Sequence, residues 1–359
     1  MTPPDLQSVL VVGTGLIGTS AALALRARGV TVYLCDRDAA ALAVALERGA
    51  GLAADGPRAV DLALVAVPPQ HTAAVVLALL DDERVPAVTD AASVKLPVAR
   101  AVAAHPRAAA YVGGHPMAGR EVSGPAAARP DLFRGRSWVL CPPADGLPSP
   151  TAAAVELVTQ LALLVGATPL RMTPSDHDAA VALVSHAPHL VSALVAGRLR
   201  DAPAPEVRLA GGGVADITRV AASNPALWRE ILAANAPAVR DVLTALRADL
   251  DTAITALGDG DLDRVEGLLA AGVAGRGRLP GKHGSPHAEY VGVPVELADR
   301  PGQLARLFAD IGAAGVNVED VRIEHVPGEP VGLVELSVQP HAEASLVDAL
   351  RAHGWAVHG

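Results

Sequence analysis

The sequence predicts an α/β protein in three parts: a largely parallel sheet covered by helices, an all-helical region, and a small closing module. Three observations point there. Residues 8 to about 142 alternate β-branched runs with alanine-rich stretches, the rhythm of successive βαβ units. Between 151 and about 273 no strand-like run of any length appears. From 288 to 359 strand and helix patterns return in the order βαββαβ, a ferredoxin-like succession.

The strand candidates of the first part are "SVLVVG", "TVYLCD", "LALVAVP", "AVTDA", "YVGGHP" and "SWVLCP". "VLVVG" and "LALVAV" are apolar almost throughout, as strands covered on both faces should be. A proline-rich joint, "CPPADGLPSPTA" (141–152), closes this part, which places the first domain at 1–150 and the helical domain at 151–274. "GRGRLPGKHGSPH" (275–287) reads as a linker of Gly, Pro and basic residues. The last domain, 288–359, divides into a strand "AEYVGVPVEL", a turn "ADRPGQ", a helix "LARLFADIGAAG", strands "NVEDVRIEHV" and "VGLVELSVQ", a helix "ASLVDALRAHG" and a final strand "WAVHG".

Composition narrows the function. The 359 residues leave room for several domains with cores of their own. Apolar residues make up 51% of the chain but aromatics only 2%, so alanine carries much of the hydrophobicity and favours helix. No stretch reaches the roughly 18 unbroken apolar residues of a membrane span. The first residues lack the basic start and apolar middle of a secretory signal. Cys35 and Cys141 are too few for a disulfide framework or a thiolate zinc site. A cytoplasmic protein with no membrane association is expected. The net charge of −9 disfavours nucleic acid as a partner. An anionic ligand must therefore be held by local Arg or His groups against the overall field.

The first motif with chemistry is "VLVVGTGLIGTSAALALRARGVTVYLCDRD", in which Gly13, Gly15 and Gly18 form GxGxxG between an apolar strand and an alanine-rich helix. Gly13 permits the tight turn, Gly15 lets a pyrophosphate approach the backbone, and Gly18 allows close packing of helix on strand. With Leu16 and Ile17 these residues open the helix whose N-terminus attracts the phosphates. Asp36 ends the next strand at the position of a carboxylate that binds ribose hydroxyls, which gives a Rossmann-type domain. Asp36 repels a 2′-phosphate and so favours NAD; Arg37 beside it is the one feature that leaves NADP open. Val67 and Pro68, in "VAVPPQH", and the segment "VTDAASVK" follow later strands and should line the same crevice. Ser93 either caps a helix or points its hydroxyl at the junction of cofactor and substrate.

"AAYVGGHPMAGREVSG" brings His115 to the same carboxyl edge, where an imidazole titrating near neutrality can take a proton. In "SDHDAAVALVSHAPHLVSAL" Pro188 interrupts a helical pattern and frees a carbonyl, while His186 and His189 share a helical face. Two histidines are too few for a metal site, so no metal is expected; an anion-binding or hydrogen-bonding role suits His186. "LAGGGVADITRVAASNPALWREI" places three glycines ahead of Arg219 and Trp228. Arg219 either pairs with a carboxylate of the protein or grips a substrate carboxylate with its planar fork.

Taken together these motifs resemble the prephenate and arogenate dehydrogenase family. "GTGLIG", "VAVPP", "DAASVK", "GGHPMAG", "HD…SHAPH" and "GGG…TRVAASNPALW" follow the family's order over nearly the whole chain. The resemblance implies NAD as cofactor, a helical dimerisation domain and hence a homodimer, and oxidative decarboxylation of prephenate to 4-hydroxyphenylpyruvate. It assigns the catalytic histidine to His115 and the active-site serine to Ser93. The substrate-carboxylate arginine falls on Arg219, with Gly212 of the glycine run beside it, and the pyruvyl-side-chain histidine on His186. The loop carboxylate falls on Glu121, and the tryptophan lent by the partner subunit on Trp228. Arg120 stands where relatives can carry a substrate-contacting Thr, and "VAD" before "ITR" departs from an aromatic–basic–Asp run. The closing module resembles an ACT regulatory domain. In it Asp299, Gly302, Gln303 and Asn317 would contact an amino acid effector, L-tyrosine by expectation; dimerisation without a ligand is the alternative. Three rivals stand beside this. One is a relative acting on arogenate or an amino-substituted prephenate. Another is a β-hydroxyacid dehydrogenase, whose catalytic lysine residues 151–274 do not supply. The third is a non-catalytic NAD-sensing regulator.

Overall fold

The computed structural model describes residues 5–54, 56, 59–119, 122–142, 148–279, 290–325 and 331–358. It divides into two compact units, Met1–Arg247 and Ala248–Gly359.

In the first unit the strands are β1 (Ser8–Val12), β2 (Thr31–Cys35), β3 (Leu52–Ala53), β4 (Leu62–Val65), β5 (Val88–Asp90), β6 (Tyr111–Pro116), β7 (Ser137–Cys141) and β8 (Thr168–Arg171). They form one sheet in the order β3-β2-β1-β4-β5-β6-β7-β8. Helices α1 (Leu16–Arg26), α2 (Ala39–Glu47), α3 (Pro69–Leu80), α4 (Leu96–Val102) and α5 (Ala152–Leu164) connect them. Successive residues of β4 show why the sheet is covered on both sides. Leu62 and Leu64 join Val9, Val11, Leu25 and Leu157 in one core, while Ala63 and Val65 join Val76, Leu80 and Val102 in the other. Alternation along an extended chain sends neighbours to opposite faces, so a strand with two cores must be apolar throughout.

The sheet is largely parallel, with one exception: β6 runs antiparallel to β7, with His115 opposite Val139. One expectation is corrected here, that the chain is helical from 151 onward: α5 packs on the sheet and β8 pairs parallel with β7, carrying the sheet to Arg171. Strand β8 is "TPLR", short, mostly exposed and interrupted by Pro169, so it lacks the apolar run by which strands are recognised.

Beyond the sheet, α6 (Pro174–Val181), a π-helical turn (Ala182–His186) and α7 (Ala187–Leu199) make one continuous run. Pro188 sits in the first turn of α7, where its missing N–H matters least, and the wider turn just before it takes up the break. Pro174–Leu199 is long and apolar enough to cross a membrane by length and composition. Its His177, Asp178 and His186 are nevertheless buried and hydrogen-bonded inside the unit, which makes it a packed helix of the fold. Next come α8 (Ala204–Val207), α9 (Gly212–Thr218), a 3-10 turn (Arg219–Ala222), α10 (Pro225–Ala234) and α11 (Ala236–Asp259).

The second unit contains α12 (Leu262–Gly277), followed by β9 (Val291–Ala298), α13 (Gln303–Ala313), β10 (Val318–His325), β11 (Val331–Val338) and α14 (Glu343–Ala352). Helix α12 corrects the expected linker start at 275, since the helix continues to Gly277 with Arg276 in its last turn, where a cation suits the dipole. Residues 280–287 of that linker lie outside the described residues. The three strands form an antiparallel sheet in the order β10-β11-β9 over a core of Val295, Leu307, Ile311, Leu336, Leu346 and Trp355. The expected last strand is reduced to a single antiparallel bridge between Val357 and Val295.

Candidate active site

The glycine turn sits between β1 and α1. Gly13 adopts φ +101, and a Cβ there would lie 2.4 Å from the Ala66 carbonyl oxygen. A Cβ on Gly18 would lie 1.9 Å from the carbonyl oxygen of Gly13. These two positions need glycine because other backbone occupies the space. Gly15 is different: it caps the N-terminus of α1 without a side-chain bond, and a Cβ there would meet nothing within 4 Å. The unpaired N–H groups of α1, with Leu16 and Ile17 in its first turn, therefore open on free space, the cradle a pyrophosphate needs. Val67 and Pro68 continue the chain from the Ala66 carbonyl, and Pro68 caps α3.

Asp36 is more engaged than a ribose ligand alone would require. Its Oδ2 accepts the Thr14 backbone N–H at 2.5 Å and the Thr14 hydroxyl at 2.9 Å, and its Oδ1 accepts the Asp38 N–H at 2.9 Å. Burial pushes its carboxyl up, but these bonds and the Arg37 charge outweigh that and hold it below the usual range. The charge thus pins the glycine turn and keeps a negative end on β2. Arg37 points toward α3, with Nη1 3.1 Å from His71 Nε2.

Four strands away, a buried polar cluster supports His115. Lys95, with no solvent exposure, donates from Nζ to Asp90 Oδ1 and, at 2.5 Å, to the Gly114 carbonyl. Asp90 also accepts the Tyr111 hydroxyl at 2.7 Å and the Ala92 N–H at 2.8 Å. Burial first, and Asp90 next, hold the Tyr111 phenol well above its usual range, so it stays a donor. Gly114 must be glycine, for a Cβ would lie 2.5 Å from the Asp90 carbonyl oxygen. The residue before His115 is thus held from both sides.

His115 is half-buried near the end of β6, its Nδ1 2.8 Å from His177 Nε2. Burial, then the charges of His177, Lys95 and His186, hold its imidazole well below the ordinary histidine value. At neutral pH it is an uncharged ring that can accept a proton. His177 Nδ1 lies 2.8 Å from Asp178 Oδ1, while the two oxygens of Asp178 accept the Lys95 and Leu96 N–H groups, each at 2.8 Å. Asp178 therefore caps α4. This corrects the capping alternative for Ser93, which lies two residues before the Lys95 cap position, half-buried in the loop after β5.

His186 is buried at the end of the π-helical turn, with Asn235 Nδ2 3.1 Å from its Nδ1. The same amide donates to the Asp178 carbonyl at 2.8 Å. Burial pushes the His186 imidazole down to about 4, so at neutral pH it acts as a hydrogen-bond donor rather than a cation. Because Asn235 donates to Nδ1, the ring hydrogen lies on Nε2. Trp228 stacks on His189 of its own chain at 3.5 Å between centroids and meets His186 edge-on at 6.0 Å.

The structure thus gathers His115, Ser93 and His186 around the carboxyl edge of the sheet. It leaves Arg219 exposed at the start of its 3-10 turn and Gly212 exposed at the start of α9, both against α7 rather than beside His115. Arg120 and Glu121 lie outside the described residues. Asp299 is exposed, Gly302 takes φ +88 to cap α13, Gln303 opens that helix, and Asn317 Nδ2 donates to Glu319 Oε1 at 2.6 Å. Sequence reasoning missed Asp90, Lys95, Tyr111, His177, Asp178 and Asn235. Asp90 and Lys95 fall within the "DAASVK" motif and His177 and Asp178 within "HD…SHAPH", but neither motif by itself shows that these side chains are buried and bonded to one another.

Two family models match the chain: prephenate dehydrogenase, nucleotide-binding domain, over residues 21–169, and prephenate dehydrogenase, dimerization domain, over 173–271. A probable prephenate dehydrogenase of Streptomyces niveus, NovF, is 39% identical over 98% of this chain and 99% of its own. Among solved structures, prephenate dehydrogenase from A. aeolicus, in complex with hydroxyphenyl propionate and NAD+, is 26% identical with a TM-score of 0.67 over 76% of this chain and 98% of that one. Arogenate dehydrogenase from Synechocystis is 27% identical with a TM-score of 0.63 over 75% of this chain and 98% of its own. A nucleotide-binding domain with its glycine cradle, a histidine at the sheet edge and a helical domain behind it all agree with these matches: the chain belongs to the prephenate dehydrogenase family.

Proposed function

We propose that this chain catalyses the NAD-dependent oxidative decarboxylation of prephenate to 4-hydroxyphenylpyruvate. The observation that carries the proposal is His115, neutral and tied through Nδ1, at the crevice edge of a dinucleotide-binding sheet. The hydroxyphenyl propionate in the A. aeolicus structure is a phenol with a carboxylate side chain, the shape of the proposed product.

Gly13, Gly15 and Gly18, with the first N–H groups of α1, would hold the pyrophosphate of NAD, and Asp36 its ribose edge, with Val67 and Pro68 beside them. NAD, when bound, supplies the hydride acceptor. His115 takes the proton of the ring C4 hydroxyl through Nε2 as the C4 hydrogen departs as hydride, and Ser93 aligns that hydroxyl. The ring carboxylate then leaves as CO₂, its bonding pair completes the aromatic ring, and His115 returns the proton to the phenolic oxygen. His186 donates from Nε2 to the pyruvyl carboxylate or carbonyl. Arg219, with Gly212 near it, holds a carboxylate once the site is completed by the second copy of a homodimer, to which Trp228 would also contribute. Arg120 is assigned to the side-chain end of the substrate, and Glu121 to orienting the substrate or gating the site rather than to proton transfer.

Arogenate shares the ring carboxylate and C4 hydroxyl, and the likeness to the Synechocystis enzyme keeps it as the second reading. The module at 288–359 is proposed as an ACT-like domain that binds L-tyrosine at the turn formed by Asp299, Gly302 and Gln303, with Asn317 nearby. The test is NADH formation by the purified chain with each substrate, with and without tyrosine. NADH from prephenate, suppressed by tyrosine in the full chain but not after truncation at 287, is the expected result. NADH from neither substrate overturns the proposed activity, and inhibition that survives truncation overturns the role of the module.

A further inference from the structure

His177 and Asp178 take no part in the proton and hydride chemistry set out above, yet both are tied to it. His177 is 1% exposed and has both ring nitrogens committed, Nε2 to His115 Nδ1 and Nδ1 to Asp178 Oδ1, each at 2.8 Å. Both oxygens of Asp178 already accept backbone N–H groups, from Lys95 and from Leu96. His177 Nδ1 is therefore the donor to that carboxylate. A neutral imidazole that donates from Nδ1 accepts at Nε2. With His177 neutral, His115 donates from Nδ1 and carries its lone pair on Nε2, whereas a protonated His177 would donate to His115 and leave the hydrogen of His115 on Nε2. The start of α4, two rings away, dictates which nitrogen of His115 is basic.

We propose that His177 is a positioning residue for His115, fixed in that role by Asp178, so that the sequence Asp178–His177–His115 sets the tautomer and orientation of the proton acceptor. The inference rests on the activity proposed for His115. A purely structural task, holding α6 against the sheet, is already met by Asp178 through α4 and by Asn235, which donates to the Asp178 carbonyl. What His177 adds is an acceptor for the His115 N–H. Without it, His115 is free to place its hydrogen on Nε2, and the nitrogen left for the substrate becomes a donor that cannot take a proton.

The test uses the full chain with His177→Ala and His177→Gln, since a glutamine carbonyl can take over the acceptor role of Nε2. For His177→Ala, kcat should fall about 10²-fold, as for a misplaced catalytic group, with KM changed by no more than about twofold. His177→Gln should recover most of the loss at the same melting temperature as His177→Ala. The acid limb of kcat/KM should move to higher pH in His177→Ala, because burial and His177, the two largest causes that hold the His115 titration down, are both relieved while Lys95 and His186 still face it. Histidine ring-nitrogen chemical shifts of the wild type, measured without substrate, should report the Nδ1–H tautomer for His115. Unchanged kcat in His177→Ala, no recovery in a folded His177→Gln, or the Nε2–H tautomer in the wild type overturns the inference. If His177→Ala fails to fold, the glutamine variant and the wild-type spectrum decide. Wild-type protein that oxidises neither prephenate nor arogenate defeats the proposed activity instead, and the spectrum still judges the relay.

Discussion

The edge of the sheet at His115 and the segment from Arg219 to Trp228 are the two ends of the proposed site, and they are built in opposite ways. Around His115 a connected set of buried polar groups is bonded: Lys95 to Asp90 and Gly114, Tyr111 to Asp90, Asp178 to α4, and His177 to Asp178 and His115. Thr89 Oγ1 and Trp138 Nε1, beside Gly114, are buried without a partner among the described residues. At the other end Arg219 is exposed, and Trp228 is held chiefly by stacking on His189. Proton transfer tolerates little error in position, so its groups are fixed before substrate arrives. Capture of a carboxylate tolerates more, and the arginine fork can close on it from an exposed position.

That contrast can be broken experimentally. The largest effect belongs to the rigid end. His115→Ala should lower kcat by about 10²–10⁴-fold while NAD affinity, measured by calorimetry, stays the same; near-normal turnover would remove His115 as proton acceptor. Lys95→Met leaves Asp90 as a buried charge without its counter-ion and should destabilise the protein by about 3–5 kcal/mol. Urea unfolding checks this, and an unshifted midpoint would mean the cluster is not the support described. At the other end, Arg219→Ala should raise the substrate KM about 10–100-fold, the worth of a charge-assisted bond, with the melting temperature unchanged. An unchanged KM would take Arg219 out of the site. A loss of stability there would erase the difference between the two ends.

How much of this was legible in the sequence follows the same division. The glycine turn announces itself because a close approach leaves only glycine at Gly13 and Gly18, and His115 because it follows a strand at the edge where such sheets bind ligands. The apolar strand β4 stands out because both its faces are buried, and β1 because one face is buried and the other half-buried. Strand β8 does not, since one edge neighbour and an exposed surface require no apolar pattern. The antiparallel turn of β6 on β7 was hidden because period-two alternation carries no direction. The polar cluster was hidden for a different reason. Asp90 and Lys95 are five residues apart, but Tyr111, Gly114, His177 and Asp178 reach them only through the fold, and a buried lysine reads in sequence like any surface lysine.

The central claim is that His115 works as a neutral base held ready at the edge of the crevice, and the pH dependence of wild-type kcat/KM tests it most directly. Only the neutral ring accepts a proton, so activity falls as pH drops through the His115 titration. With burial and the charges of His177, Lys95 and His186 holding that titration well below the ordinary value of 6.5, the rate should stay level from neutral pH to below 6.5 and fall only in more acidic solution. The acid limb should be absent from His115→Ala. Either a wild-type rate already halved at or above pH 6.5, or an acid limb retained in His115→Ala, would contradict the account.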